Sequence, residues 1–432
     1  MKLLLTGARI IDPAQNMDSR MDIFLEDGKI AKTGADLSKS VKSKSSEEIT
    51  KIIDLAGMIL VPGLIDMHTH LREPGFEYKE TIASGAAAAV AGGFTSIACM
   101  PNSNPINDNR SVTEFIKRKA IEATLANVYP IGAISKDSAG VLLAEFWDLK
   151  EAGIIALSDD GKPVMDAALM RRALEYAFSL QLPVISHCED TNLSSGGQIN
   201  EGYYSTILGL SGIPGIAEEV MVARDILIAE FTKTCVHIAH VSTAGSVGLI
   251  RNAKKRGLKV TAETAPHYFT LTDEALQSYN TNFKVNPPLR SEKDVTAIKE
   301  GLSDGTIDVI ACDHAPHGRT DKEVEFEYAA SGISGLETSL SLSLNLIRSK
   351  TLNWPELIAK MSVNPARILN LQKGTLTAGA DADITVIDPL IKWTVDVQAF
   401  RSRGKNSPFH GREMQGKAVL TIVGGEIKYD GR

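Results

Sequence analysis

The chain has 432 residues, of which 43% are hydrophobic and 23% charged. This composition excludes a disordered chain, and the length suits a (β/α)₈ barrel with an additional small domain. The formal net charge of −7 argues against broad nucleic-acid binding, and no stretch approaches the roughly 20 apolar residues that span a bilayer. The N-terminus lacks a signal-peptide pattern, so we expect a cytoplasmic protein without nucleic-acid or membrane partners.

Short strands separated by turns are predicted near both ends of the chain. The strand-like runs cover residues 3–5, 22–25, 29–30, 52–55, 384–387, 419–423 and 427–429. Gly424 and Gly425 are a hairpin signal between the last two runs, and residues 38–51, rich in Ser, Lys and Glu, predict an exposed loop. We therefore expect residues 1–60 and 373–432 to form one composite β-sandwich domain.

Between these ends, apolar strand-like runs alternate with helical segments such as residues 165–180 and 217–231. This alternation is typical of βαβ units in a parallel sheet. Eight strand-like runs begin near residues 64, 95, 127, 153, 183, 235, 259 and 308. Most are followed directly by polar side chains, as the strands of (β/α)₈ barrels are followed by active-site residues. We therefore expect an α/β fold in which residues 61–372 form such a barrel.

The strongest functional signal is the pair of histidines at the end of the first barrel strand. Side chains alternate faces along a strand, so His68 and His70 point to the same side. Further ligand-type side chains follow later strands, and a barrel would bring all these ends into one ring. The candidate metal ligands are His68, His70, Asp160, His187, His240 and Asp313.

This set of imidazoles and carboxylates suits Zn²⁺ in a hydrolytic site. Two ions would share a bridging hydroxide and lower its pKa towards neutrality, with Asp160 as the bridging carboxylate. Taken singly, His187 and His240 fit a buried structural role equally well. Asp313 also fits a helix N-cap, and Asp159 competes with Asp160 for the bridging position.

The other histidines and the cysteines are given simpler interpretations. His237 lies three residues before His240, so strand alternation places it on the opposite face and predicts a structural role. His267 and His314 adjoin the site without being predicted ligands. The four cysteines lie in apolar runs and form no C-x-x-C pair, which indicates buried thiols in a reducing compartment.

Longer motifs make the pattern specific. They include D-M-H-T-H-L-R-E-P-G at residues 66–75, M-P-N-S-N-P at 100–105, V-N-P-P-L-R at 285–290 and D-H-A-P-H at 313–317. Together the motifs resemble the dihydroorotase family of the amidohydrolase superfamily, and they span essentially the whole chain. The run 154–160 contains no lysine, so the resemblance is to the bacterial class I type with aspartate, rather than a carbamylated lysine, between the metals.

The resemblance implies an enzyme with two Zn²⁺ per subunit that reversibly cyclises N-carbamoyl-L-aspartate to L-dihydroorotate with release of water, in pyrimidine (UMP) biosynthesis. In the hydrolytic direction a metal-bridging hydroxide would be the nucleophile. The resemblance gives metal ligation to the same six residues and acid/base catalysis to Asp313. It gives the substrate carboxylate to Arg72, Asn102 and Asn286, with His317 as a further substrate contact.

The resemblance also implies a homo-oligomer, a dimer, and a possible complex with aspartate carbamoyltransferase. One alternative is another cyclic amidohydrolase, an allantoinase or hydantoinase, whose substrates lack the carboxylate that Arg72 and Asn102 would bind. A second alternative is a scaffolding subunit for aspartate carbamoyltransferase, against which the full ligand set counts. Residues 318–335 predict a lid or partner contact, or equally a solvated loop.

Overall fold

The structure, a computed structural model, describes residues 2–37 and 51–432. The loop predicted over residues 38–51 lies outside the described residues, except for Lys51, which begins a strand. The strands are β1 (Lys2–Asp12), β2 (Met17–Glu26), β3 (Lys29–Gly34), β4 (Lys51–Asp54), β5 (Ile59–Pro62), β6 (Leu64–Thr69), β7 (Phe94–Cys99), β8 (Asn127–Pro130), β9 (Ile185–Ser186), β10 (Ile199–Asn200), β11 (Gly212–Ile213), β12 (Val236–Ile238), β13 (Val260–Thr264), β14 (Val309–Ile310), β15 (Ile384–Thr394), β16 (Glu413–Val423) and β17 (Glu426–Asp430).

The α-helices surround the barrel strands and also lie in the connections. They are α1 (Ile82–Gly92), α2 (Arg110–Ala123), α3 (Phe146–Ala152), α4 (Ala167–Ser179), α5 (Tyr203–Leu208), α6 (Ile216–Thr232), α7 (Ala244–Lys255), α8 (Glu292–Ser303), α9 (Arg319–Lys322), α10 (Leu336–Arg348), α11 (Trp354–Ile358) and α12 (Asn364–Ile368). Among the helices of residues 2–37 and 51–432, none combines the length and the apolarity needed to cross a membrane.

Eight parallel segments close into a ring. Strands β6, β7 and β8 pair in that order, and β9, β12, β13 and β14 form a second parallel set. Leu157 joins the two sets, because it bridges Gly132 on one side and Val184 on the other. A parallel bridge between Thr69 and His314 closes the ring. The predicted (β/α)₈ barrel is thereby confirmed.

The fourth barrel strand, predicted to begin near residue 153, is reduced to the single bridging residue Leu157. Main-chain hydrogen bonds still run along it: Ile155 N–H donates to the Pro130 carbonyl at 3.1 Å and Leu157 N–H to the Pro183 carbonyl at 3.0 Å. Both neighbours at these positions are prolines, which accept but cannot donate. The Ile185 N–H, two residues after Pro183, does donate to the Leu157 carbonyl at 2.8 Å, so the ladder is complete at Leu157 and the regular strand is confined to that residue.

The seam between the first and last barrel strands is held by a buried carboxylate. One Asp66 oxygen accepts the His68 N–H at 2.9 Å, and the other accepts the Cys312 N–H at 2.9 Å. Burial raises the pKa of Asp66 to about 7. Because the seam has few ladder hydrogen bonds, this side chain fixes the relative position of the two strand ends.

Strands from both chain ends build a second sheet, in the order β17-β16-β15-β5-β1-β2-β3, with β4 also paired to β1. Antiparallel pairing of Ile59–Pro62 with Ile384–Ile387 joins the N-terminal strands to the C-terminal ones. Gly424 and Gly425, both at positive φ, form the predicted turn between β16 and β17. The domain limits 1–60 with 373–432, and 61–372, stay predictions.

The terminal sheet packs tightly against the barrel. The Thr385 hydroxyl donates to the Gly93 carbonyl at 2.5 Å and accepts the Leu64 N–H at 3.2 Å. Gly93 ends α1 at φ +92°, and a Cβ there would lie 2.8 Å from the Ala418 Cβ. A side chain at position 93 would therefore clash as well as strain the backbone.

We expect Phe94→Ala to lower the free energy of unfolding by about 3–5 kcal/mol, because it leaves a cavity in the core between barrel and helices. Phe94 is fully buried, whereas Phe231 is 71% exposed, so Phe231→Ala is the matched control and should cost about 1 kcal/mol or less. Thermal and denaturant unfolding of both variants measures the difference. Equal losses would contradict the assignment of Phe94 to the core.

Candidate active site

The barrel brings all six predicted metal ligands to the carboxyl ends of its strands. They line or border an open cleft of about 460 Å³, whose walls include His70, Arg72, Asp160, His187 and Asp313. Each candidate ligand belongs to a separate barrel segment, apart from the pair His68 and His70 at the end of β6. All six are buried. Residues that lie up to 245 positions apart therefore meet in one place because the strand ends form a ring.

Asp160 lies between two groups of imidazoles. Its Oδ1 is 3.2 Å from His187 Nδ1 and 3.1 Å from His240 Nε2. Its Oδ2 is 3.4 Å from His68 Nε2 and 3.5 Å from His70 Nε2. Within each group the potential ligand atoms lie within 4.8 Å of one another. One carboxylate thus faces two places in which a cation can be held.

Asp313 faces the first group, whereas Asp159, the alternative to Asp160, faces elsewhere. Its Oδ1 lies 3.2 Å from His70 Nε2 and 3.5 Å from His68 Nε2. Asp159 is turned away from the imidazoles, because its carboxylate accepts the Ser135 N–H at 3.0 Å and hydroxyl at 2.5 Å. The geometry therefore brings Asp160 and Asp313, but not Asp159, to the histidines.

Three acceptors orient the imidazoles. Glu263 Oε1 lies 2.5 Å from His68 Nδ1, and Asn102 Oδ1 lies 2.9 Å from His70 Nδ1. On the second group, Glu189 Oε2 lies 2.9 Å from His187 Nε2. An acceptor at one ring nitrogen fixes the proton there, which leaves the lone pair of the other nitrogen directed into the site.

Sequence reasoning missed the two glutamates among these acceptors. Glu189 follows His187 by two residues, and Glu263 ends the seventh predicted strand on the side that faces the cluster. Glu263 also reaches His237 Nε2 at 3.3 Å, so His237 shares this carboxylate with His68 instead of lying on the opposite face, and it belongs to no group of potential metal ligands among the described residues. A buried carboxylate at a barrel-strand end was the available signal, but its partner depends on how the imidazoles are turned.

The cluster carries strong negative charge that favours a cation. Burial raises the pKa of Asp160, yet His68 and the hydrogen bonds from His187 and His240 hold it well below its usual range. Asp313 behaves alike: burial opposes ionisation, but His68 and His70 keep its pKa below the usual range. Burial likewise lowers the pKa of His68, but the surrounding carboxylates raise it well above normal.

One observation tests whether a metal fits. His68 Nε2 is fully buried and has no hydrogen-bond partner among the described residues, although it points at two carboxylates. A buried polar atom left without a partner is costly. A divalent cation between this nitrogen and the carboxylates would satisfy it, and the histidine and aspartate donors are those that Zn²⁺ prefers. The residues present therefore fit a metal.

The predicted substrate contacts lie on the wall beside the cluster. The Arg72 Nε–H donates to the Pro316 carbonyl at 3.2 Å, and burial lowers the pKa of Arg72 to about 10. Asn102 lies against His70, as described above. Asn286 Nδ2 donates to Glu189 at 2.9 Å. Both asparagines line the cleft together with Arg72 and His317.

His317 is a neutral imidazole between cations. Its Nδ1 lies 3.4 Å from the Lys79 ammonium, so this nitrogen accepts. The Nε2–H therefore donates to the Ser331 carbonyl at 2.9 Å, with the Arg72 guanidinium 3.3 Å away. Burial, then Arg72 and Lys79, lower the pKa of His317 to about 2. In this arrangement His317 lies beside Arg72 and holds the loop that carries Ser331.

The remaining histidines near the site do not face the cleft. His314 Nδ1 accepts the Gly335 N–H at 3.1 Å, just before α10, and its Nε2 lies 3.4 Å from Glu80. His267 is buried against Tyr268, with its ring centroid 4.1 Å away, and burial lowers its pKa to about 4. Neither belongs to a group of potential metal ligands in residues 2–37 and 51–432.

Comparison with known proteins places this geometry in a family. A family model described as Dihydro-orotase-like matches residues 57–246, and one described as Amidohydrolase family matches residues 235–429. The dihydroorotase of Syntrophus aciditrophicus is 63% identical over 429 residues, which cover 99% of each chain. The chain belongs to the dihydroorotase family. The dihydroorotase of Geobacter metallireducens, a further relative, is 56% identical over 99% of this chain and 100% of its own length.

Solved structures extend the comparison to the fold. The L-hydantoinase (dihydropyrimidinase) from Arthrobacter aurescens has a TM-score of 0.86 at 26% identity and covers 99% of this chain and 96% of its own. The dihydropyrimidinase from Brevibacillus agri shares the fold at 22% identity, with a TM-score of 0.85 over 100% and 95% of the two chains. Membership of the dihydroorotase family makes the chain an amidohydrolase enzyme.

We expect Glu263→Gln to weaken zinc binding by about 10–100-fold, because an amide orients and polarises the His68 imidazole less well than a carboxylate. Bound zinc is measured by elemental analysis after competition with a chelator. Glu292→Gln, at an exposed position on α8, is the control and should retain wild-type affinity. Unchanged zinc binding in Glu263→Gln would show that this contact does not support the metal site.

Proposed function

We propose that the protein is a dihydroorotase that reversibly cyclises N-carbamoyl-L-aspartate to L-dihydroorotate in pyrimidine biosynthesis, using Zn²⁺. The observation that carries the proposal is the position of Arg72. Its guanidinium lines the same cleft as Asp160 and Asp313, in a chain 63% identical to a dihydroorotase. The dihydroorotate ring bears a carboxylate on a carbon that one methylene separates from the carbonyl carbon of the amide to be cleaved. This cleft offers the Arg72 guanidinium for the carboxylate and a metal site for the carbonyl.

Two Zn²⁺ would be held by His68, His70, Asp160, His187, His240 and Asp313. Asp160 would lie between them, because its two oxygens face different imidazole groups. A bound Zn²⁺ supplies Lewis acidity, which lowers the pKa of water towards neutrality and polarises a carbonyl oxygen. The acceptors Glu263, Asn102 and Glu189 would keep the imidazoles aligned for this ligation.

Asp313 is the residue that would move the proton. Its pKa is held below the usual range, so it is a carboxylate at neutral pH and acts as a general base towards the attacking water. In ring opening it would pass that proton to the departing ring nitrogen, and in ring closure it would do the reverse. Its oxygen lies at the edge of the imidazole cluster, and the residue lines the cleft.

Arg72 would bind the substrate carboxylate through its planar guanidinium, which matches the geometry of a carboxylate. Its Nε–H is engaged by the Pro316 carbonyl, and this fixes the orientation of the terminal N–H groups. Asn102 uses its oxygen on His70, which leaves its amide N–H groups for the substrate. Asn286 and the neutral His317 would complete the polar wall around the carboxylate.

A hydantoinase is the alternative with specific support, because the L-hydantoinase of Arthrobacter aurescens shares the fold at 26% identity. Hydantoin and allantoin lack the ring carboxylate that Arg72 would bind, so we favour dihydroorotate. A homodimer and a complex with aspartate carbamoyltransferase stay predictions, as does a purely scaffolding role. The retained ligand set argues against scaffolding.

The proposal predicts zinc-dependent hydrolysis of L-dihydroorotate by the purified protein. Substrate loss is followed beside parallel reactions with hydantoin and allantoin, and the double variant His68→Ala/His70→Ala is the inactive control. Turnover of only the other rings would reassign the protein to a sister activity. Failure to turn over any ring, with zinc bound and the fold intact, would favour the scaffolding role.

We expect Arg72→Met to weaken binding of L-dihydroorotate by about 10–100-fold, because a charge-assisted hydrogen bond contributes about 1.5–3 kcal/mol. Dihydrouracil, the same ring without the carboxylate, is the matched substrate. The ratio of kcat/KM for dihydroorotate over dihydrouracil should fall in the variant. An unchanged ratio would mean that Arg72 does not recognise the carboxylate.

A further inference from the structure

One wall of the cleft is a short irregular segment, residues 326–332, which follows α9; we call it the cleft-wall segment. Glu327, Ser331 and Gly332 from this segment line the cleft. Gly332 has φ +141°, and a Cβ there would lie 2.6 Å from Ala315. The segment therefore lies close against the backbone that follows Asp313.

Two buried ammonium groups hold the carbonyls of the cleft-wall segment. Lys284 Nζ donates to the carbonyls of Phe326 at 2.7 Å and Glu327 at 2.9 Å, and to Gln198 Oε1 at 2.5 Å. Lys322 Nζ donates to the Ala330 carbonyl at 2.6 Å and lies 3.5 Å from the carbonyls of Gly332 and Lys284. The two side chains are only 7% and 4% exposed.

These acceptors are carbonyl and amide oxygens rather than carboxylates. The two positive charges are therefore buried without a counter-ion at hydrogen-bond distance among the described residues, which costs free energy of folding. Burial and the nearby Lys284 lower the pKa of Lys322 to about 7. Each ammonium has three N–H groups and three oxygens within 3.5 Å. Neither ammonium has an N–H group left to donate to a substrate. The two lysines therefore act through the carbonyl groups that they hold.

The held segment connects directly to the carboxylate-binding wall. The Ser331 carbonyl accepts the His317 Nε2–H at 2.9 Å, and His317 lies 3.3 Å from Arg72. Asn406 Nδ2 donates to the Gly332 carbonyl at 2.9 Å, and the Gly332 N–H donates to the Lys284 carbonyl at 2.9 Å. Loss of one ammonium would therefore free the segment that supports His317 opposite Arg72.

We propose that Lys284 and Lys322 are positioning residues that set substrate affinity by holding the cleft-wall segment against His317 and Arg72. This inference rests on the proposed function, since it concerns the carboxylate-binding side of that same cleft. The metal-binding groups lie on the other side and are oriented by Glu263, Asn102 and Glu189. The lysines should therefore affect KM rather than kcat.

The test compares Lys322→Met and Lys284→Met with a matched buried lysine. Lys360 is 6% exposed, and its Nζ donates to the Ile307 carbonyl at 2.6 Å, before β14 and at the opposite end of the barrel. We expect Lys322→Met and Lys284→Met each to raise KM for L-dihydroorotate about tenfold with kcat within about twofold, because freed carbonyls lose their partners. Lys360→Met should lower thermal stability and leave KM unchanged.

Lys322→Gln keeps an N–H donor without the charge and should give an intermediate KM, so it also serves if the methionine variant does not fold. A Lys322 variant that loses only thermal stability, as Lys360→Met does, would overturn the proposal. A fall in kcat at constant KM would overturn it as well.

A readout without substrate separates this inference from the proposed function. Hydrogen exchange of peptides covering residues 323–332 should be faster in Lys322→Met than in wild type, and unchanged in Lys360→Met. If wild type does not hydrolyse dihydroorotate, the function fails while this measurement still reports on the segment. Unchanged exchange in Lys322→Met would refute the holding role itself.

Discussion

The seam between the first and last barrel strands is the constraint on which the site depends. Few main-chain hydrogen bonds join these two strands, so the hydrogen bonds from two N–H groups to the Asp66 carboxylate help to close the barrel. His68 lies two residues after this carboxylate, and Asp313 directly follows Cys312 at its other side. One buried side chain thus fixes the main chain beneath two candidate ligands from opposite ends of the barrel sequence. The spacing of His68 and Asp313 is therefore determined by the backbone as well as by their rotamers.

Charge is divided across the cleft. Carboxylates surround the imidazole cluster on one side, and a group of cations, Arg72, Lys79, Lys284 and Lys322, lies on or behind the other. A small molecule with an amide carbonyl at one end and a carboxylate at the other would be turned the same way each time it entered. Such orientation places reacting atoms before the chemistry begins and removes an entropic part of the barrier. His317, kept neutral between the cations, lets the positive wall be dense without an additional charge.

The sequence predicted those features of the fold and the site that depend on a short run of neighbouring residues. Strand-end histidines and carboxylates could be recognised because a barrel places every such end in one ring. The fourth strand was predicted too long, because Pro130 and Pro183 on its neighbours have no N–H to donate and the ladder is complete only around Leu157. Glu263 was missed because its role depends on the rotation of an imidazole from a distant strand. Lys284 and Lys322 could not be picked out among the lysines, since their burial is produced only by packing of the loops.

The pairing of β5 with β15 joins segments more than three hundred residues apart, and this has a consequence for how the chain is made. On the ribosome, all the barrel strands emerge before β15, β16 and β17. Until those three strands appear, the apolar side chains of β1, among them Leu3, Leu5 and Ile10, lack three of the eight strands of the sheet that buries them. Contacts of such long sequence separation form late. We infer that the barrel assembles first and that the sheet is completed only after β15, β16 and β17 have been synthesised.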